Sequence, residues 1–241
     1  MPFVEQKKLI KNKYFCLSLV RFNESLFDDS VDLPPHILSS VRKRKSEYYA
    51  GRLAAGDALS FFNLDKHVGT AKDRSPIWPD GSRGSITHDD SVAAAVVSTS
   101  LNIGLDVEDI LTDKVATDIV DMVASRDEVD ILPFSKNESV SIVFSSKESI
   151  FKCLYPDVKK FFDFKDAELV KVNSLHKNFV ELSFNIKSNL SNYIKKGTEV
   201  KVWCLISSGS IITIGVKNSD YSDDFKKDII SSLLEVNYFL E

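Results

Sequence analysis

The last third of the chain reads in twos. Val180, Leu182, Phe184 and Ile186 alternate with Glu181, Ser183 and Asn185, the period of a strand with one face buried. Leu169–Val172, Glu199–Ile206 and Ile211–Val216 carry the same strand chemistry. Short strands joined by polar turns form an antiparallel meander, which must cover its apolar face with another layer. The amphipathic stretch from about Asp223 to Leu234 offers one helix for that purpose.

The first half repeats the arrangement in another order. Pro34-Pro35 is a helix-opening signal, and the spacing predicts a helix from about His36 to Phe62. Gly69, Pro76, Pro79, Asp80, Gly81 and Gly84 punctuate a loop-like segment between Asn63 and Gly84. Strands are expected at Ser85–His88 and Val92–Ser98 around the turn Asp89-Asp90-Ser91, and again at Ile103–Glu108. Helices are expected at about Thr112–Val123 and Ser139–Tyr155, the second announced by the Ser135/Glu138 capping box. The hairpin Ile86–Ser98 is loosely echoed by Val202–Val216. The fold class is therefore α+β, with two similar halves expected over residues 1–101 and 102–241.

Composition removes several functions. The net charge of −4 over 241 residues creates no field that would draw in nucleic acid. No apolar stretch is long enough to span a bilayer, and Met1 to Lys13, with its four lysines, does not read as a signal peptide. The expected location is the cytoplasm. Cys16, Cys153 and Cys204 form neither a disulfide framework nor a metal pair, and His36, His67, His88 and His176 lack zinc-ligand spacing.

Three charge placements resist a surface explanation. In Ile103-Gly104-Leu105-Asp106-Val107-Glu108, alternation sends Gly104, Asp106 and Glu108 to one face. Carboxylates at i and i+2 on a strand stand roughly 6–7 Å apart, where a cation would relieve their repulsion. A solvent-facing acidic strand edge is the alternative. Gly104 beside them leaves space for a ligand to approach the backbone. Further on, the inward helical stripe Val140, Val143, Phe144, Lys147, Glu148, Phe151, Leu154 contains Lys147 and Glu148. A core-facing glutamate needs a partner, and joining Asp106 and Glu108 would make an all-oxygen site suited to Mg²⁺ rather than zinc. Lys152, one turn on, could face the same cleft or simply pair with Glu148. Arg52 shares a stripe with Tyr48, Ala55 and Leu59, so its guanidinium must pair with an acid or hold an anion such as phosphate. Arg44, two turns earlier, is a weaker candidate for the same task. Thr87 and His88 offer a hydroxyl and an imidazole that can donate to phosphate oxygens.

Together these segments resemble the 4'-phosphopantetheinyl transferases of the surfactin and enterobactin type, closest to the enterobactin-synthase branch. The resemblance is carried by Lys45-Ser46-Glu47-Tyr48-Tyr49-Ala50-Gly51-Arg52-Leu53-Ala54-Ala55 and by Pro76-Ile77-Trp78-Pro79 followed by Gly84-Ser85-Ile86-Thr87-His88. Gly104-Leu105-Asp106-Val107-Glu108 and Phe144-Ser145-Ser146-Lys147-Glu148-Ser149 complete it, with Lys152 and Tyr155-Pro156 in the continuation. Four motifs in order and spacing, over roughly residues 36 to 157, are a specific signal.

The resemblance implies a pseudo-dimer of two α+β halves with coenzyme A in the cleft between them. The phosphopantetheine arm would pass from coenzyme A to a serine of an apo acyl- or peptidyl-carrier protein, releasing adenosine 3',5'-bisphosphate, for siderophore or other nonribosomal peptide assembly. It implies that Asp106, Glu108 and Glu148 hold Mg²⁺, that Glu148 is the base, and that Lys152 contacts the pyrophosphate. Arg52 would bind the 3'-phosphate, Arg74 would lie beside adenine or phosphate, and Thr87 and His88 would contact the pyrophosphate. Lys72-Asp73-Arg74-Ser75-Pro76 departs from the family's commoner Gly-Lys-Pro. A monomer is expected, since two halves can build one cleft within one chain. A Mg²⁺-dependent nucleotide pyrophosphatase, or a non-catalytic module binding coenzyme A or carrier proteins, would share part of this pattern. The second would be marked by loss of a carboxylate, and all three are present.

Overall fold

A computed structural model describes residues 3–217 and 222–240. Its contacts divide the chain into two compact units, Met1–Ser100 and Leu101–Glu241. Each is a helix laid on an antiparallel sheet.

The first unit opens with strands the sequence reading did not assign, β1 (Val4–Lys11) and β2 (Cys16–Phe22). Their absence from that reading has a physical cause. Edge strand β1 presents Glu5, Gln6 and Lys7 to solvent, which hides its period. Strand β2 is buried on both faces and reads as an undifferentiated apolar run. The predicted helix from His36 to Phe62 is two pieces, α1 (Pro35–Leu38) and α2 (Arg42–Phe61). Ser39-Ser40 are poor helix formers, and Val41 is extended, at φ −62° and ψ 157°, just ahead of α2. A two-residue ladder follows, β3 (Gly69–Thr70) with β4 (Pro76–Ile77), then β5 (Arg83–His88) and β6 (Val92–Ser98). The sheet order is β1-β2-β6-β5. Helix α2 buries Ala50, Ala54, Ala55 and Ala58, small residues that let it lie close on strands including Ala95 and Val97.

The second unit contains β7 (Ile103–Asp109), α3 (Asp113–Val123), α4 (Arg126–Asp130) and α5 (Lys136–Val158). Then come β8 (Ala167–His176), β9 (Phe179–Ile186), β10 (Glu199–Ser207), β11 (Ser210–Lys217) and α6 (Asp223–Leu240), in a sheet of order β7-β11-β10-β9-β8. The Ser135/Glu138 capping box forms as expected, with Ser135 N–H donating to Glu138 Oε2 at 3.0 Å. Ser208 and Gly209 join β10 to β11 with φ of 48° and 90°, the left-handed pair that a two-residue hairpin requires.

The echo between hairpins is topological. In each unit the strand before the long helix pairs with the last strand of a following hairpin, whose first strand comes next. The order β2-β6-β5 thus corresponds to β7-β11-β10. Among the described residues no helix is long and apolar enough to cross a membrane.

Candidate active site

Strand alternation does place Gly104, Asp106 and Glu108 on one face of β7, and α5 lies across that face. The space at Gly104 serves this crossing rather than a ligand. A Cβ there would sit 1.8 Å from the Ser149 carbonyl oxygen, so only glycine lets the helix backbone come so near. That approach brings Lys152 to Asp106, whose carboxylate is almost wholly buried. Lys152 Nζ donates to Asp106 Oδ1 at 2.6 Å and to the Leu105 carbonyl at 3.3 Å. The alternative of a simple Lys152–Glu148 helix pair therefore gives way to a bond between helix and strand. Glu148 stands close enough to feel both groups. Burial pushes its carboxyl above the ordinary value, Lys152 pulls it down and Asp106 pushes it up.

Lys147 belongs elsewhere. Its ammonium is buried, 2.8 Å from Glu128 Oε1 and 2.9 Å from the Val123 carbonyl. Burial lowers its pKa, with Glu128 opposing. Glu128 also accepts from Ser125 N and Leu169 N, so this network ties α4, α5 and β8 together. The Ser125-x-x-Glu128 spacing could have announced the start of α4. Nothing local in the sequence marks Glu128 as the partner of Lys147.

Among the described residues, no three His, Cys, Asp or Glu side chains gather tightly enough to form a metal cluster. The donor chemistry nonetheless fits a hard cation. Asp106 and Glu148 are like charges near one another, Glu108 is half-buried two residues along the same strand face, and only oxygen is on offer.

The first unit gathers cations. Arg52 lies over the Tyr48 ring at 4.7 Å and donates through Nη2 to the Gly69 carbonyl and Thr70 Oγ1 at 3.1 and 2.9 Å. Tyr48 and Thr70 hydroxyls are 3.0 Å apart. Burial draws the Arg52 pKa down, and among the described residues no carboxylate is one of the groups that act on it. Of the two options in the sequence, pairing with an acid is therefore not the one realised. Arg44 Nη1 is 2.9 Å from His88 Nε2, beside Glu47. Thr87 and His88 face opposite sides of β5, as neighbours on a strand must, and Thr87 is buried. Arg74 is exposed on the β3–β4 turn with φ 70°. Glu47 and Thr70 are not singled out by the sequence; an acid three residues after Arg44, just past a run of four bases, is the signal that could have found the first.

Residues 34–98 match the 4'-phosphopantetheinyl transferase N-terminal domain, and residues 102–205 match the 4'-phosphopantetheinyl transferase superfamily. The chain belongs to the 4'-phosphopantetheinyl transferase family. It is 36% identical over 167 residues to enterobactin synthase component D of Salmonella typhi, covering 66% of this chain and 70% of that protein. The same protein of Escherichia coli K12 is 33% identical over 164 residues, covering 65% and 78%. The 4'-phosphopantetheinyl transferase PptT of Mycobacterium tuberculosis is 30% identical over 141 residues, covering 56% and 62%. As a 4'-phosphopantetheinyl transferase the chain takes coenzyme A as substrate and acts on carrier proteins.

Proposed function

We propose that this transferase moves the 4'-phosphopantetheine arm of coenzyme A onto a serine of an apo acyl- or peptidyl-carrier protein in siderophore or nonribosomal peptide assembly. The reaction on this reading is Mg²⁺-dependent. The serine Oγ–P bond forms at the pantetheine-bearing phosphorus, the P–O bond to the bridging oxygen breaks, and adenosine 3',5'-bisphosphate leaves. The observation that carries the reading is the Asp106–Lys152 bond with Glu148 beside it, because phosphoryl transfer needs a base and a cation at the leaving group.

Glu148 takes the serine proton, directly or through water. Desolvation that raises its pKa also makes it a stronger base. Lys152 neutralises charge on the 5'-phosphate of the departing adenosine 3',5'-bisphosphate. Asp106, Glu108 and Glu148 would hold the Mg²⁺, which when bound supplies Lewis-acid stabilisation of the pyrophosphate oxygens. Arg52, its guanidinium turned by Tyr48 and Thr70 and matched with no acid, binds the 3'-phosphate, and Arg74 lies near adenine or phosphate. Arg44 and His88 contact the pyrophosphate side, whereas Thr87, buried on the other face of β5, is not assigned a contact there. The protein works in the cytoplasm as a monomer.

Incubation with coenzyme A, Mg²⁺ and apo-carrier proteins should add about 340 Da to the carrier, the mass of the group moved in this phosphoryl-transfer scheme. Intact-mass spectrometry reads it directly. No mass gain on carriers from peptide, polyketide and fatty-acid systems alike rejects the assignment.

A further inference from the structure

Glu47 is an odd residue to bury. It sits just over one turn into α2, two residues after the run Arg42-Lys43-Arg44-Lys45, and is only 8% exposed. Burial pushes its carboxyl above the ordinary value; Arg44 and Lys43 pull it back and Asp90 opposes them. A glutamine would avoid that cost. Glu47 Oε2 is 3.7 Å from Arg44 Nη1 and 3.7 Å from His88 Nδ1, so it faces both candidate phosphate ligands at once.

The hydrogen-bond chemistry of the trio fixes a proton. A guanidinium can only donate, so at 2.9 Å from Arg44 Nη1 the His88 Nε2 accepts. The proton of the neutral ring is then on Nδ1, the nitrogen turned toward Glu47. When a phosphate claims Arg44, Nε2 is released to bind a proton and donate in its turn, and the carboxylate offsets the charge gained. Lys43 and Asp90, which are ion-paired with each other, also act on Glu47, and Arg52 is near enough to Arg44 for the two charges to interact.

We propose that Glu47 is a positioning residue of the phosphate site: its carboxylate keeps the His88 proton on Nδ1, aligns Arg44 over Nε2, and favours the doubly protonated ring once coenzyme A is bound. The proposal rests on the reading that Arg44 and His88 contact coenzyme A phosphates. It makes a prediction opposite in sign to simple electrostatics. Removing a negative charge beside a polyanion's site should tighten binding; removing a positioning carboxylate should weaken it.

Glu47→Gln, which keeps shape and loses charge, tests this in the full chain. Calorimetric titration with coenzyme A at pH 7 should show binding weaker by about three- to fivefold, the size expected for a partly exposed charge interaction. In the ligand-free protein, the NMR titration midpoint of the His88 ring should move to lower pH in the variant. Glu47→Gln combined with His88→Ala should bind no more weakly than His88→Ala alone. Unchanged or tighter binding by Glu47→Gln, an unmoved His88 midpoint, or full additivity in the double variant overturns the proposal. Wild-type affinity in both Arg44→Ala and His88→Ala is a different failure, because it removes the phosphate-site reading itself.

Discussion

The two long helices occupy matching places in their units and carry opposite chemistry. Both lie on the strand that precedes them and on the final strand of the following hairpin. Helix α2 approaches its sheet through alanines and presents Arg44 and Arg52, with no carboxylate among the described residues acting on the second. Helix α5 crosses β7 by backbone contact at Gly104 and presents Glu148 and Lys152 to Asp106. On the reading proposed above, one scaffold serves as an anion holder in the first unit and as a base with its counter-cation in the second. Function resides in which side chains the shared crossing carries.

The largest expected effect separates these two jobs. Glu148→Gln should lower kcat about 10²–10⁴-fold, the usual worth of a positioned base, while leaving much of the coenzyme A affinity. Arg52→Gln should do the reverse, raising KM for coenzyme A about tenfold or more through loss of a charge-assisted phosphate contact, with kcat largely kept. Steady-state kinetics with apo-carrier protein, alongside calorimetric titration, resolve the two parameters. Near-normal turnover by Glu148→Gln would remove that residue from its role and dissolve the contrast between the units.

The sequence already held most of this division, for reasons that differ from residue to residue. Strands with one solvated face, such as β9, declare themselves by period, and the face shared by Gly104, Asp106 and Glu108 follows from alternation alone. Charge in the wrong place exposed Arg52 and Glu148. What stayed hidden was whatever depends on contact between distant segments. Lys147 stands in the same inward stripe as Glu148, and the stripe left its partner unassigned. Its partner, Glu128, lies on another helix, and a helical stripe does not say which neighbour each residue meets. Gly104 looked like ligand space because nothing local revealed that α5 would fill it. Glu47 was masked by the run of four bases just before it.

The packing half of the comparison is tested by two alanines. At Gly104 an added Cβ meets the Ser149 carbonyl oxygen at 1.8 Å, and backbone must move. Gly104→Ala should cost at least the upper part of the usual range for overpacking, about 1–3 kcal/mol, and should slow transfer by displacing Glu148 from Asp106. At Gly51 the added Cβ meets Ile86 Cγ2 at 2.8 Å, a methyl on the branched Cβ of a side chain stiff at χ1, so side chain rather than backbone must shift. There alanine's advantage within a helix, about 1 kcal/mol over glycine, offsets part of the crowding, so Gly51→Ala should destabilise by less than Gly104→Ala. Urea unfolding of the two variants checks the difference. Equal losses at both positions would mean that the two crossings are alike in tightness as well as in topology.

The smallest effect concerns what the second unit adds on the opposite face of its sheet. Trp203 and Glu181 are register partners on β10 and β9 and face away from α5, and there α6 packs Phe225 edge-on against Trp203 at 5.8 Å. Lys226 Nζ reaches Glu181 Oε2 at 2.6 Å, and Asn173 Nδ2 donates to Oε1 at 3.1 Å. Burial alone would raise the Glu181 pKa, but bonds from Lys226 and Asn173 outweigh it and the net shift is downward. A carboxylate whose folded pKa lies below its unfolded value stabilises the fold above the unfolded value, and that contribution is lost as pH falls through the folded one. The attachment of α6 should therefore loosen on acidification below about pH 4, the ordinary carboxylate range. Amide exchange in α6 should speed up there relative to α5, and Glu181→Gln should show the faster exchange already at pH 7 with little further change on acidification. Exchange in α6 that is the same in wild type and variant at every pH would assign the hold on this helix to the Phe225–Trp203 contact and its apolar neighbours alone.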